Sequence, residues 1–214
     1  MSRYVGVPVL HKDLPGISVC HVTTTDAPAR RLIEGLATGI RTRGYADTTV
    51  ADIVRDARTS RRTFYEHFTD RQECLVALLH ETNQRTIARI SDAVDPGASW
   101  ETQAGQAIEG WIAAVQADPP ISLSWIRDVP ALGPGRARQF QRSTMRAFVE
   151  LIQRLTDTPQ LRAAGIRPPS EQTAIILLGG LRELFATAVE DGHDVATIVS
   201  PAVEATQLLL GPRP

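Results

Sequence analysis

The chain has 214 residues, 43% of them hydrophobic, a formal net charge of -1 at pH 7 and a pI near 6.5. That composition supports a packed core and excludes predominant disorder. It also excludes a uniformly basic surface that coats nucleic acid, so any polyanion must be met by a local patch. Cys20 and Cys74 lack CxxC spacing, and no apolar run is expected to reach the ~18 residues of a spanning helix. A soluble, cytoplasmic protein without membrane contact is therefore expected.

Residues 1–25 mix Val, Gly, Pro and Thr without helical period and carry only Arg3 and Lys12 as cations, which reads as a flexible N-terminal extension. After Asp26, a capping-type residue, and an early Pro28, a helical stripe runs through Leu32, Ile33, Leu36, Ala37 and Ile40. Gly44 is expected to end this helix in a Schellman turn, with Tyr45 covering Ile40. Thr49-Val50-Ala51-Asp52 has capping-box spacing, and Val50, Ile53, Val54 and Ala57 then form an inward face. Ser60 is a good N-cap for a short third helix anchored by Phe64 and Phe68 at i, i+4. Thr69-Asp70 caps a longer fourth helix that runs to about Asp95-Pro96-Gly97.

Every later segment is again helical by period: Trp100 to Val115, a shorter helix after Asp118-Pro119-Pro120, Arg136 to about Thr156, one opened by Pro168-Pro169-Ser170, and a last from about Val195 to Leu210. No strand is predicted. The expected class is all-α with about nine helices, comprising a helix-turn-helix unit over 26–75 and a helical domain over 76–214.

Two short helices joined by a tight turn describe a helix-turn-helix whose second member projects from the core. Arg61 and Arg62 sit at its N-terminal end, where a guanidinium can donate two hydrogen bonds to a guanine edge in the major groove. Thr63, Tyr65 and His67 offer further donors, and Arg71 adds a cation at the start of the fourth helix. Between Arg58 and Arg71 four arginines face only Glu66 and Asp70, so this segment is cationic although the chain is not.

Thr63-Phe64-Tyr65-Glu66-His67-Phe68, with Arg71 three positions on, resembles the DNA-binding region of the tetracycline-repressor (TetR) family over roughly residues 29–76. The family pattern couples a Thr-capped second helix to a Thr-Phe-Tyr-x-His-Phe recognition helix and a following basic residue. The resemblance implies Arg61, Arg62, Thr63 and Tyr65 near bases, and Thr49, Ser60, His67 and Arg71 on the phosphate backbone. The chain departs from the family with Arg58 where the turn usually has Gly, and with Arg71 where Lys is commoner. A left-handed non-glycine residue at position 58 would strain the turn.

The resemblance also implies a regulator, most naturally a repressor, that binds a palindromic double-stranded operator as a homodimer and is released by a small, mostly apolar or aromatic effector. Trp100, Trp111, Trp125, Met145 and Phe148 gather bulky groups in the middle helices. Gln103, Gln106, Ser124, Arg127 and Asp128 are candidate polar contacts there. Gly179, Gly180 and Leu181, within a helix over about 170–191, suit close pairing with a second copy, together with the helix over 195–210. Periodicity alone allows these helices to be core instead.

An enzyme is not expected, and neither is a cofactor or a metal. His11, His21, His67, His80 and His193 show no ligand spacing, and there is neither a GxSxG elbow nor a phosphate loop after a strand. The alternatives from other classes are an all-α enzyme and a helical small-molecule or interaction module without specific DNA binding.

Overall fold

The structure is a computed structural model that describes residues 26–132 and 135–212, the side chain of Arg136 excepted. The N-terminal extension expected over 1–25 lies outside the described residues. The helices are α1 (Ala27–Arg43), α2 (Val50–Asp56), α3 (Arg61–His67), α4 (Arg71–Ala93), α5 (Trp100–Gln116), α6 (Pro119–Ala131), α7 (Arg136–Thr156), α8 (Pro159–Ala163), α9 (Glu171–Glu190) and α10 (Val199–Leu210), with a 3-10 turn at Val195–Ile198. Among the described residues there is no strand and there are ten α-helices rather than about nine. The extra one, α8, has five residues, too few to show a period.

The stripe Ala29, Leu32, Ile33, Leu36, Ala37 and Ile40 of α1 is buried as its spacing requires. Gly35 and Gly39 let α2 and its lead-in approach closely. A Cβ on Gly35 would stand 2.6 Å from the Ile53 carbonyl oxygen, and one on Gly39 would stand 2.4 Å from Thr48 Cγ2. Gly44 does take a positive φ, 81°, but its ψ of 163° lies in the region open essentially to glycine alone. The expected Schellman turn is therefore not formed. The Gly44 amide bonds to Ile40 O at 3.0 Å, and the buried Thr48 hydroxyl donates to Gly44 O at 2.7 Å. Asp26 does not cap α1 with its side chain; the carboxylate lies 3.2 Å from His67 Nδ1 at the end of α3.

The capping box at α2 forms as its spacing predicts. Asp52 N–H donates to the Thr49 hydroxyl, and Thr49 N–H donates to Asp52 Oδ2. The Schellman turn occurs one helix later than expected. Thr59 N–H reaches Val54 O at 2.9 Å and Arg58 N–H reaches Arg55 O at 3.1 Å, with Arg58 itself at φ 51°. A Cβ in this conformation costs roughly 1–2 kcal/mol, against about 0.5–1 kcal/mol of extra unfolded-state freedom for glycine. Arg58→Gly is expected to raise unfolding stability by roughly 0.5–1 kcal/mol, read as a higher urea midpoint at unchanged slope. A lower midpoint would mean that the arginine side chain itself supports the turn.

Two hydrophobic clusters organise the molecule. The first joins α1, α2, α3 and the start of α4 to Ile121 and Val129 of α6 and to Ala137 and Phe140 of α7. The second gathers α5, Ile126 of α6, Leu161, Ile166, α9, the 3-10 turn and α10. Trp125 packs against both. At the junction the Arg41 guanidinium of α1 holds Asp118, the residue before α6, through Nε at 2.8 Å and Nη2 at 2.6 Å. Cys74 is buried in the first cluster, where loss of solvent pushes its thiol pKa up.

The expectation that no run is long and apolar enough to span a membrane does not hold for α9. Its 20 residues include an 18-residue window of mean hydropathy 1.3, of which 33% is buried. The rest of that helix presents apolar groups outward.

Candidate nucleic-acid interface and effector cavity

Phe64 and Phe68, 0% and 2% exposed, fix the inner side of α3. Their rings lie 5.8 Å apart, and Tyr65 meets Phe64 edge-on at 5.3 Å. With that side anchored, a seven-residue helix must turn Arg61, Arg62, Tyr65 and Glu66 outward, and all four are exposed. Tyr65 is 59% exposed. The side chain of Arg62 is 89% exposed and, among the described residues, tied only to Glu66, at 3.0 Å across one helical turn. Such a surface pair contributes no more than about 0.5 kcal/mol, so it yields readily to a stronger acceptor.

Ser60 caps α3 by accepting from Thr63 N–H at 3.0 Å, and its hydroxyl lies 3.0 Å from the Thr63 hydroxyl. Thr49 is exposed at the head of α2, where its hydroxyl lies 2.6 Å from Asp52 Oδ2. That hydroxyl, followed by the Thr49 amide, holds the Asp52 carboxyl down to about 2. His67 is half-buried beside Asp26.

Arg71 departs from the expected phosphate contact. Its Nη1 donates to Tyr45 O at 2.9 Å, to Ala46 O at 3.1 Å and to Thr48 O, and its guanidinium lies 4.2 Å from the Tyr45 ring centroid. Three loop carbonyls and a ring face hold this cation, so it pins the α1–α2 loop to α4 instead of standing free for a phosphate. The carbonyls belong to a loop whose geometry depends on Gly44, which periodicity could not supply.

Between the middle helices lies a cavity of about 140 Å³. Trp100, Gln103, Trp111, Trp125, Met145 and Phe148, all expected at an effector site, are in its lining. Asp128 is not in the lining: its charge is felt at Tyr45, in the DNA-binding unit. Arg127 is also outside, gripping Glu183 and Glu190 of α9 at 2.7–2.9 Å. Gln106 accepts from Asp95 N–H at 2.9 Å, and the hydroxyl of Ser124 is buried without lining the cavity. Sequence reading missed the contribution of α4, namely Leu79, Thr82, Asn83, Thr86 and Ile90. It also missed Arg182, the only charged residue in the described lining. Thr82, Asn83 and Thr86 are polar, so no hydrophobic period marks them as facing inward.

Residues 32–78 match the family described as bacterial regulatory proteins, tetR family. The match covers α2 and α3 with parts of α1 and α4. Solved structures share the fold of the chain well beyond the matched segment. FadR, a fatty acid degradation regulator from Bacillus halodurans, is 17% identical with a TM-score of 0.73, covering 87% of this chain and 96% of that one. FadR from Bacillus subtilis in complex with stearoyl-CoA is 15% identical with a TM-score of 0.71, covering 86% and 99%. A TetR-family transcriptional regulator from Rhodococcus sp. is 22% identical with a TM-score of 0.69, again covering 86% and 99%. No curated protein sequence matches the chain.

Helix α9 has two distinct sides. Leu177 and Leu181 are buried and line the cavity, so Leu181, expected at a subunit interface, belongs to the interior. Gly179 and Gly180 are exposed, and a Cβ on either would meet nothing within 4 Å. They share the outer side with Ile175, Ile176 and Leu184, while Leu208 and Leu209 are exposed on α10.

Proposed function

We propose that the protein is a repressor that binds a palindromic operator as a homodimer in the cytoplasm and leaves it when an apolar or aromatic effector fills the cavity. The observation that carries this reading is α3, with two buried phenylalanines holding a cationic, aromatic side outward. Arg61, Arg62, Thr63 and Tyr65 approach base edges, and Thr49, Ser60 and His67 meet phosphates. Exposed glycines and aliphatic groups on α9, with those on α10, support pairing across a two-fold axis into a four-helix interface. That pairing also accounts for the spanning-length hydropathy of α9, since Arg182 and Glu183 in mid-helix would be costly in lipid.

Release follows from size and attachment. A dry cavity near 150 Å³ holds about one benzene ring, so a larger effector must part the helices around the 140 Å³ present here. The lining helices α4 and α6 are also those that meet the DNA-binding unit: α4 enters its core, and α6 is tied to α1 through Asp118 and Arg41. A state with displaced recognition helices that bound effector ~100-fold more tightly would lose about 2.7 kcal/mol of operator affinity. The Bacillus subtilis FadR, of similar fold and solved in complex with stearoyl-CoA, supports an effector with an aliphatic body.

Electrophoretic shift with DNA from upstream of the chain's own gene provides the test. Arg61→Ala and Arg62→Ala are each expected to weaken specific binding by about 1–3 kcal/mol, roughly five- to more than a hundredfold, with wild-type affinity falling steeply as salt rises. Binding that is indifferent to sequence and to both substitutions would leave a small-molecule module in place of a repressor.

A further inference from the structure

Resting on the effector-cavity reading above, we propose that the ligand is an apolar carboxylic acid whose carboxylate is held by Arg182 and Asn83. Arg182 is the only charged residue in a described lining dominated by aliphatic and aromatic groups. Its Nε is buried and bonded to nothing among the described residues, and the same holds for Asn83 Nδ2. Both residues line the one cavity. The Arg182 guanidinium lies 5.3 Å from the Trp125 ring centroid, which orients it without supplying an acceptor. Its neighbour Glu183 is engaged elsewhere, by Arg127 on the outside of the fold.

Donors left unpaired in an apolar cavity destabilise the protein by themselves and reward an acceptor that reaches them. Burial accordingly pulls the guanidinium pKa down from its ordinary value. The chemistry of the acceptor follows from the number of donors. A planar guanidinium fork and one amide NH₂ match the two oxygens of a carboxylate. A phosphate, with about two charges and three terminal oxygens, would leave charge and acceptors unanswered among these side chains.

The ligand also has a direction. Arg182 lies against Trp125, which packs on both hydrophobic clusters, and Asn83 is one turn along α4 from Leu79 in the core of the DNA-binding unit. Trp100, Gln103, Thr206 and Leu210 line other parts of the wall, on α5 and α10. The carboxylate therefore sits towards the DNA-binding unit and the apolar body extends towards α5 and α10.

Tryptophan fluorescence and calorimetry on the full chain, with dodecanoate, 4-phenylbutanoate, dodecan-1-ol and dodecanoyl-CoA as probes, test this. At least one acid is expected to bind ~10-fold or more tightly than the alcohol, the usual value of a hydrogen bond to a charged group. Arg182→Met, apolar and of similar length, should abolish that preference while keeping or improving alcohol binding; Asn83→Leu should reduce it. Equal binding of acid and alcohol by the wild type, or an acid preference that survives Arg182→Met, overturns the proposal. Binding of dodecanoyl-CoA alone overturns it while leaving the effector cavity standing, whereas no binding by any probe counts against both. The acid-to-alcohol ratio of the wild type decides the matter even if a variant fails to fold.

Discussion

Phe64→Ala is expected to abolish DNA binding and to lower the thermal midpoint by roughly 6–20 °C, from a stability loss of about 3–5 kcal/mol. Phe64 is fully buried between Phe68 and the α1–α2 core, and α3 has seven residues, too few to persist as a helix without tertiary contacts. The cavity left by the ring cannot be filled by Tyr65, which stands on the outer side of the same helix. Calorimetry measures the midpoint and electrophoretic shift the binding. A midpoint within 2 °C of wild type, with operator binding kept, would show that Phe64 is not the wedge that aims Arg61 and Arg62.

Ile176→Asp is expected to convert a dimer into a monomer. Ile176 is 65% exposed in the single chain, so the substitution disturbs nothing inside the protomer and circular dichroism should be unchanged. In the proposed interface it would place two unpaired carboxylates, one from each copy, in an apolar seam. Each costs several kcal/mol, which together raise the dissociation constant more than about 10³-fold. Light scattering at micromolar concentration should report twice 23.4 kDa for the wild type and 23.4 kDa for the variant. Operator affinity should fall as well, because a palindrome needs two recognition helices about 34 Å apart. A wild type that is monomeric at that concentration, or a variant that stays dimeric, would place the interface elsewhere or remove it.

The features legible in the sequence are those set by local rules. The box at Thr49 and Asp52, the cap at Ser60 and the i, i+4 pair Phe64 and Phe68 each depend on residues within one or two turns, and each stands in the structure as its spacing indicates. The strain foreseen at Arg58 is present as a positive φ, since the turn dictates the conformation whichever residue occupies it. Long-range partnerships left no periodic trace. Arg71 looked like a phosphate ligand because a lone basic residue at a helix start has no visible partner in sequence, whereas the fold brings it loop carbonyls 23–26 positions away. Asp26 looked like a cap for the same reason, until His67, 41 residues on, came within reach. At the cavity, aromatic residues could be singled out because they are scarce. Arg182 could not, since an arginine beside a glutamate in a helix normally faces water and only packing against Trp125 reveals the opposite.

Helix α9 carries Leu177, Leu181 and Arg182 on one flank and Ile176, Gly180 and Leu184 on the other. In the proposed assembly this single rod, ~10–12 Å across with its side chains, would be all that separates a bound molecule from the neighbouring copy. Occupancy on one side of such a partition biases contacts on the other, and thermodynamic reciprocity then requires subunit association to tune how tightly each chamber grips its guest.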